Sequence, residues 1–187
     1  MSTGGKKIAV IGAGPAGYTA AQELSKNGYT VDIYDKEDRL GGAIYTGIPE
    51  YRMSKVFLDK VFASMKEDKN ITFHFNTKID CERFEGLRKN YDKVLVATGA
   101  QIENTYGFEP GNGLYAGLTL LYDLNIRGNH EYYKKYKKAM VWGGGNVAMD
   151  CARSLVRIID DVSVVYRRSE KEITANKSEI RDARNEN

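Results

Sequence analysis

Two glycine-rich turns carry the residues best able to do chemistry, and each leads, one strand later, to a different kind of charge. The first reads Lys7-Ile-Ala-Val-Ile-Gly-Ala-Gly-Pro-Ala-Gly17 and continues through Thr30-Val-Asp-Ile-Tyr34 to Asp35. The second reads Ala139-Met-Val-Trp-Gly-Gly-Gly-Asn-Val-Ala148 and continues through Val162-Ser-Val-Val-Tyr166 to Arg167 and Arg168. Strand, tight glycine turn, helix and second strand form the setting that a dinucleotide fingerprint requires. A carboxylate after the second strand suits a ribose with free hydroxyls, whereas paired guanidiniums suit a 2′-phosphate. Two such units in one chain are the equipment for moving a hydride between nucleotides.

The spacing has steric and electrostatic reasons. Gly12 allows the sharp exit from the strand, Gly14 lets backbone approach a pyrophosphate, and Gly17 lets the helix pack close to the sheet. The anion would rest on the free N–H groups and positive dipole end of that helix. Pro15 fits its first turn, where a missing N–H costs nothing. The helix is predicted to run to Asn27, with Gly28 ending it. Asp35 stands roughly 20 residues beyond Gly12, as a ribose acid should. In the second copy Gly143 and Gly145 take the first two glycine roles, and Ala148 takes the third, which tolerates one methyl.

Between these units the chain reads as their support. Arg39–Glu50 is too rich in glycine for a helix interior, and Gly41 and Gly42 could bring backbone to a second part of the same ligand. Ser54 is a predicted N-cap, with Phe57, Val61 and Met65 as the buried face of the helix that follows. Ile71–Phe75 alternates like a half-buried strand, placing His74 on its polar, exposed side. Asp92–Gly99 reads as a buried strand ending in a small-residue turn. Gln101–Gly113 is a predicted loop, and Leu114–Leu124 a strand turning into a short helix. His130 lies in a linker without an obvious partner, and Lys177–Asn187 is charged and helix-prone. The expected domains are 1–125, a linker 126–138, and 139–187.

Composition narrows the functional classes. The 187 residues are 42% hydrophobic and 28% charged, which fits a globular domain with a sizeable core and no disorder signature. A net charge of +3 is too small to argue for nucleic acid. The basic run Lys134-Lys135 and Lys137-Lys138, among Tyr132, Tyr133 and Tyr136, reads as a solvated helix. Cys81 and Cys151 form no C-x-x-C, which argues against a redox disulfide, an iron–sulfur cluster or structural zinc, and both read as buried or half-buried thiols. Met1–Lys7 lacks the apolar stretch of a signal peptide, and no segment approaches membrane-spanning length, so the expected compartment is the cytoplasm.

With these residues in hand, the sequence resembles the small (beta) subunit of NADPH-dependent glutamate synthase and its relatives. That group includes the large subunit of NADH-dependent ferredoxin:NADP oxidoreductase. The matching stretches are Val10-Ile-Gly-Ala-Gly-Pro-Ala-Gly17, Gly41-Gly42 with Gly47-Ile-Pro-Glu-Tyr-Arg52, Val96-Ala-Thr-Gly-Ala100, Gly143-Gly-Gly-Asn-Val-Ala-Met-Asp150 and Val164-Val-Tyr-Arg-Arg168. They run in family order over nearly the whole chain, and the last two are more specific than either fingerprint alone.

The resemblance implies an α/β architecture: an FAD-binding Rossmann-like domain with an inserted, incomplete NADPH-binding Rossmann-like unit. Carried over by position, Gly12, Gly14, Pro15, Ala16, Gly17, Asp35, Lys36, Gly42, Thr98 and Gly99 would contact FAD, with Ile79 near the adenine. Gly145, Asn146, Val147, Arg167 and Arg168 would contact NADPH. No side-chain acid or base is required, and no metal site is expected.

Two departures stand out. The cysteine-rich iron–sulfur segment that often opens the family is missing, and relatives continue further, returning to the FAD sheet with a Gly-Asp turn. The chain therefore reads as an N-terminal portion, or as a natural half completed by a second polypeptide. The leading expectation is an oxidoreductase passing hydride from NADPH to FAD and electrons to a partner subunit. A nucleotide-binding split half or scaffold without turnover remains the alternative. A thioredoxin reductase-like disulfide reductase is opposed by the missing C-x-x-C.

Overall fold

Small and β-branched residues in Lys7–Ile11 (β1) and Thr30–Tyr34 (β2) build the centre of a parallel sheet. In the computed structural model, which describes residues 5–186, the chain divides into two compact units. One comprises the residues up to Thr46 together with Glu50–Ala100; the other comprises Gly47–Pro49 and the residues from Gln101 onward.

In the first unit, among the described residues, the strand order is β3-β2-β1-β4, with β3 at Ile71–His74 and β4 at Lys93–Val96. All three pairings are parallel, with Val10 beside Ile33 and Leu95 and Ile33 beside Phe73. Ala9, Val10, Val31 and Ile33 are almost wholly buried, as the centre of a sheet covered on both faces demands. Pro15–Lys26 (α1) buries Gly17, Ala21 and Ser25, a stripe of small residues at four-residue spacing that lets the helix approach closely. The helix ends at Asn27 with Gly28 left-handed at φ +83, as predicted. Cys81–Asn90 (α4) packs Leu87 against Ala9 and Ile11, and Asp80 caps it by accepting from the Arg83 N–H at 2.9 Å.

The second unit pairs Lys138–Trp142 (β5) in parallel with Asp161–Val165 (β6). Asn146–Leu155 (α7) joins them, and its Cys151 and Leu155 enter a core with Leu120, Leu121, Leu124, Tyr133 and Ile159. Gly117–Tyr122 (α5) widens into a π-turn over Asp123–Arg127, and His130–Tyr133 (α6) returns the Tyr133 hydroxyl to Asp123 at 2.9 Å. The last helix, Lys177–Asn185 (α8), is fastened to α7 by charge. Arg153, almost fully buried, bonds Glu179 at 2.8 Å and Glu186 at 2.8 and 3.1 Å, and Arg157 adds a contact to Glu186 at 2.8 Å. A buried guanidinium is tolerable only with carboxylates this close.

Several expectations change. Within Arg39–Glu50 a single helical turn, Ala43–Thr46 (α2), forms directly after the glycines and buries Tyr45. In Lys55–Met65 (α3) the buried face is Leu58 and Phe62, while Phe57 is exposed, so the face is turned by about one residue. Ser54 stands at the N-cap position without a side-chain capping bond. β4 is not buried: Leu95 and Val96 are exposed, since among the described residues no strand lies outside it. Leu114 makes only an isolated bridge to Gly111, not a strand. The lysine run follows a four-residue helix instead of forming one, and Cys81 is exposed. The units divide after Ala100, not at 125, because Leu120, Leu121 and Leu124 pack with Cys151 and Leu155. Met1–Gly4, on which part of the signal-peptide reading falls, and Asn187, the end of the predicted helix-prone segment, lie outside the described residues.

Candidate functional site

The first glycine turn is shaped by contacts that leave no room for side chains. At Gly12, φ is +108, and a Cβ there would lie 2.3 Å from the Ala97 carbonyl oxygen, so the end of β4 closes on the turn. A Cβ on Gly17 would overlap the Gly12 carbonyl oxygen at 1.8 Å. Across the turn Gly42, at φ +48, approaches Gly14 so closely that its Cβ would sit 2.8 Å from the Gly14 Cα. The Gly41 N–H donates to the Ala13 carbonyl at 3.0 Å and fixes this second loop against the first. In α1 the Tyr18 N–H donates to the Gly14 carbonyl at 3.1 Å, so the Ala16 and Gly17 amides ahead of it have no intrahelical acceptor. Backbone donors at a helix start, with glycines facing across them, form a cradle that fits a pyrophosphate.

Asp35 lies beside this cradle. Its Oδ2 accepts from the Ala13 N–H at 2.6 Å and its Oδ1 from the Glu37 N–H at 2.8 Å. Its own amide donates to the His74 carbonyl at 3.1 Å, and its carbonyl accepts from Thr77 at 2.7 Å. The carboxylate is thus held rigidly, with lone pairs to spare for hydroxyl donors. Thr98 and Gly99 follow β4 on the exposed side of the turn. Ile79 is half-buried with Leu87 and Phe84. Lys36 is exposed, 3.8 Å from Glu37. The first unit therefore gathers Gly12, Gly14, Pro15, Ala16, Gly17, Asp35 and Gly42 at one turn, with Thr98 alongside.

The second turn has a different steric core. Gly144, to which the dinucleotide fingerprint assigns no role, lies against the Tyr166 ring, where a Cβ would come within 2.7 Å. Its carbonyl accepts from the Thr174 and Ala175 amides at 3.0 and 2.8 Å. Asn146 spends its Oδ1 on the Asn176 N–H at 2.8 Å. The segment after β6 therefore folds back onto the turn and holds it. Gly145 stands at the N-cap, and the Met149 N–H to Gly145 carbonyl bond of 3.2 Å leaves Val147 and Ala148 amides ahead of it. Arg167 and Arg168 emerge exposed at the end of β6, Arg168 4.0 Å from Glu172. Backbone donors and two exposed guanidiniums fit a phosphorylated nucleotide.

The groove along α8 is walled by Lys171, Lys177, Arg181 and Arg184 but by none of the predicted cofactor-binding residues. Burial pushes the Cys151 thiol up to about 12, which leaves it un-ionised and inert near neutrality. The two cysteines fall in different units. Among the described residues there is no cluster of metal-ligating side chains, and no helix is long and apolar enough to cross a membrane.

The chain is 38% identical to the beta subunit of the NADP(+)-dependent formate dehydrogenase of Moorella thermoacetica, over 97% of this chain and 26% of that protein. It is 32% identical to the small chain of the glutamate synthase [NADPH] of Escherichia coli (strain K12), over 97% of this chain and 41% of that one. The resemblance read from the motifs is thereby met, and the chain spans between a quarter and two-fifths of the length of these relatives. In fold it follows the Mycobacterium tuberculosis protein FprA in complex with NADPH, at a TM-score of 0.80 and 23% identity, covering 97% of this chain and 48% of that chain. The sequence pattern of pyridine nucleotide-disulphide oxidoreductases matches residues 6–186, so the α/β architecture and both glycine turns belong to a member of the pyridine nucleotide-disulphide oxidoreductase family.

Proposed function

We propose that this chain is the dinucleotide-handling part of a flavin-dependent NADPH oxidoreductase, with FAD on the first unit and NADPH on the second. The observation that carries the reading is the contrast between the two strand ends: a fixed carboxylate at Asp35 and two exposed guanidiniums at Arg167 and Arg168. FAD, when bound, supplies the hydride acceptor, and NADPH the hydride. The protein's part is to bind and orient. Gly14, Ala16, Gly17 and Gly42 would present backbone to the flavin pyrophosphate, and Asp35 would accept from the adenosine ribose. Lys36, Thr98, Gly99 and Ile79 would border the same ligand. Gly145, Asn146 and Val147 would receive the second pyrophosphate, and the arginines its 2′-phosphate.

Electrons would leave toward a partner subunit. Support comes from exposed apolar strand surface: Leu95 and Val96 on β4, Met140 and Trp142 on β5, and Val164 and Val165 on β6. Uncovered parallel strands of this kind call for further polypeptide, in the same chain or another, to bury them. The same observation favours the second reading, a nucleotide-binding split half or scaffold without turnover of its own. The test is the absorption spectrum of the purified chain with FAD, before and after anaerobic NADPH. A bound flavin that bleaches supports the oxidoreductase; a bound flavin that stays oxidised supports the half-site. No bound flavin rejects both.

A further inference from the structure

Asp32 sits in the middle of β2, 4% exposed, at a position where a strand buried on both faces ordinarily carries an apolar side chain. Three donors from three other parts of the first unit converge on it. Lys7 at the start of β1 reaches Oδ2 at 2.8 Å, the Tyr91 hydroxyl before β4 reaches Oδ2 at 2.8 Å, and His74 Nε2 at the end of β3 meets Oδ1 at 2.8 Å. Tyr91, having given its only proton to Asp32, accepts from the Tyr34 hydroxyl at 2.7 Å. The Tyr34 ring in turn stacks on the His74 ring, centroids 4.5 Å apart and nearly parallel. Burial works against the Asp32 charge and is the largest single influence, but the bonds from Lys7, His74 and Tyr91 together hold its carboxyl below the usual range.

This network stands directly behind the ribose-binding position. Tyr34 and His74 are register partners in β2 and β3. The Tyr34 carbonyl accepts from the Gly12 N–H at 2.8 Å, and the His74 carbonyl accepts from the Asp35 N–H at 3.1 Å. The same two residues that stack by their rings therefore hold, by their backbones, the turn glycine and the acid. Only the Asp32 end of this cluster is buried, with the Lys7 and His74 side chains 49% and 37% exposed, so its ion pairs add little stability of their own.

We propose that His74, anchored by Asp32 and stacked on Tyr34, is a positioning residue that fixes the ends of β2 and β3 so that Asp35 presents its carboxylate to the adenosine ribose. The proposal rests on the reading of the first unit as an FAD site. His74 acts through Tyr34, on which its ring stacks, and through Asp35, whose N–H its carbonyl accepts. The polar cluster leaves a defined geometry: the imidazole must donate from Nε2 and lie flat on Tyr34 at the same time.

The test is a double-mutant cycle on FAD affinity in the full native chain, with His74→Phe combined with Asp35→Ala. Phenylalanine keeps the stack and leaves Asp32 two donors, Lys7 and Tyr91, so the fold should persist. Expected is a loss of roughly fivefold in FAD affinity from His74→Phe when Asp35 is present, and less than about twofold when it is absent. His74→Gln, whose amide can still donate to Asp32, should recover part of the loss. Exchange of the Asp35 amide hydrogen in the flavin-free chain should quicken in His74→Phe and not in His74→Gln. Equal losses in both backgrounds, or unchanged affinity and exchange, would overturn the positioning role while leaving the FAD site standing. A parent chain that takes up no FAD would overturn the site itself.

Discussion

Gly42 faces Gly14 across the first turn with no space for a methyl group: a Cβ on Gly42 would stand 2.8 Å from the Gly14 Cα. The relation is not symmetrical. A Cβ on Gly14 would meet the Gly42 Cα at 3.8 Å, an ordinary contact. Gly42 is also left-handed at φ +48, which an alanine adopts with strain.

The two alanine variants should therefore fail differently. Gly42→Ala is expected to cost about 1–3 kcal/mol of stability through overpacking and backbone strain, and to loosen flavin with it. Gly14→Ala should leave the melting temperature close to the parent's and reduce flavin affinity alone, because its methyl would project toward the pyrophosphate. Thermal unfolding of the flavin-free variants, with flavin titration beside it, separates the two. Identical melting losses would contradict the steric argument.

Asp35→Ala should lower FAD affinity by roughly 1–3 kcal/mol, the range for hydrogen bonds to a charged group. The Ala13 and Glu37 amides would lose their acceptor at the same time. Titration by flavin fluorescence measures the effect, and parent-like affinity would refute the ribose assignment.

At the second turn, NADPH should bind at least about tenfold more tightly than NADH, equivalent to about 1.4 kcal/mol. Arg167→Ala and Arg168→Ala should shrink that ratio while leaving NADH nearly unaffected, since the lost partner is the 2′-phosphate. Calorimetric titration at one salt concentration reads the ratio. Equal affinities for the two coenzymes in the parent would remove the basis for the arginine role.

Acid should release α8. The Arg157 and Arg153 guanidiniums hold the Glu186 carboxyl at about 2, below its ordinary 4.5. A carboxyl depressed in the folded chain contributes stability that is present above 4.5 and is lost as pH falls toward 2. Glu186→Gln should abolish this part of the acid dependence. Amide exchange in α8 between pH 5 and pH 2 follows it; identical profiles in parent and variant would show that the ion pairs do not fasten the helix.

Native thiol labelling should modify Cys81 and spare Cys151. Cys81 is exposed at the start of α4, whereas burial keeps the Cys151 thiol up near 12. Mass spectrometry should find one adduct per folded chain and two after denaturation. Rapid modification of Cys151 would mean that the core around Leu120 and Leu155 opens readily.

The amino-acid sequence by itself determined the elements whose signals are local. Glycine spacing with a flanking strand and Pro15 located both turns, and the acid and the arginine pair after them were legible because a fingerprint places them at a set distance. Gly28 ended α1 for a reason contained in one residue, its freedom at positive φ. What only the tertiary structure decided depends on neighbours remote in sequence. Leu58 and Phe62, rather than Phe57, face inward because Phe62 meets Tyr18 and the Gly41 backbone. Gly144 is the crowded glycine because Tyr166 lies under it. His74, which alternation placed on an exposed face, is half-buried because Asp32 and Tyr34 from the adjacent strand hold it there. Periodicity reports which side of a strand a residue occupies. It does not report what the chain brings to that side, and there the polar partners of a buried carboxylate are chosen.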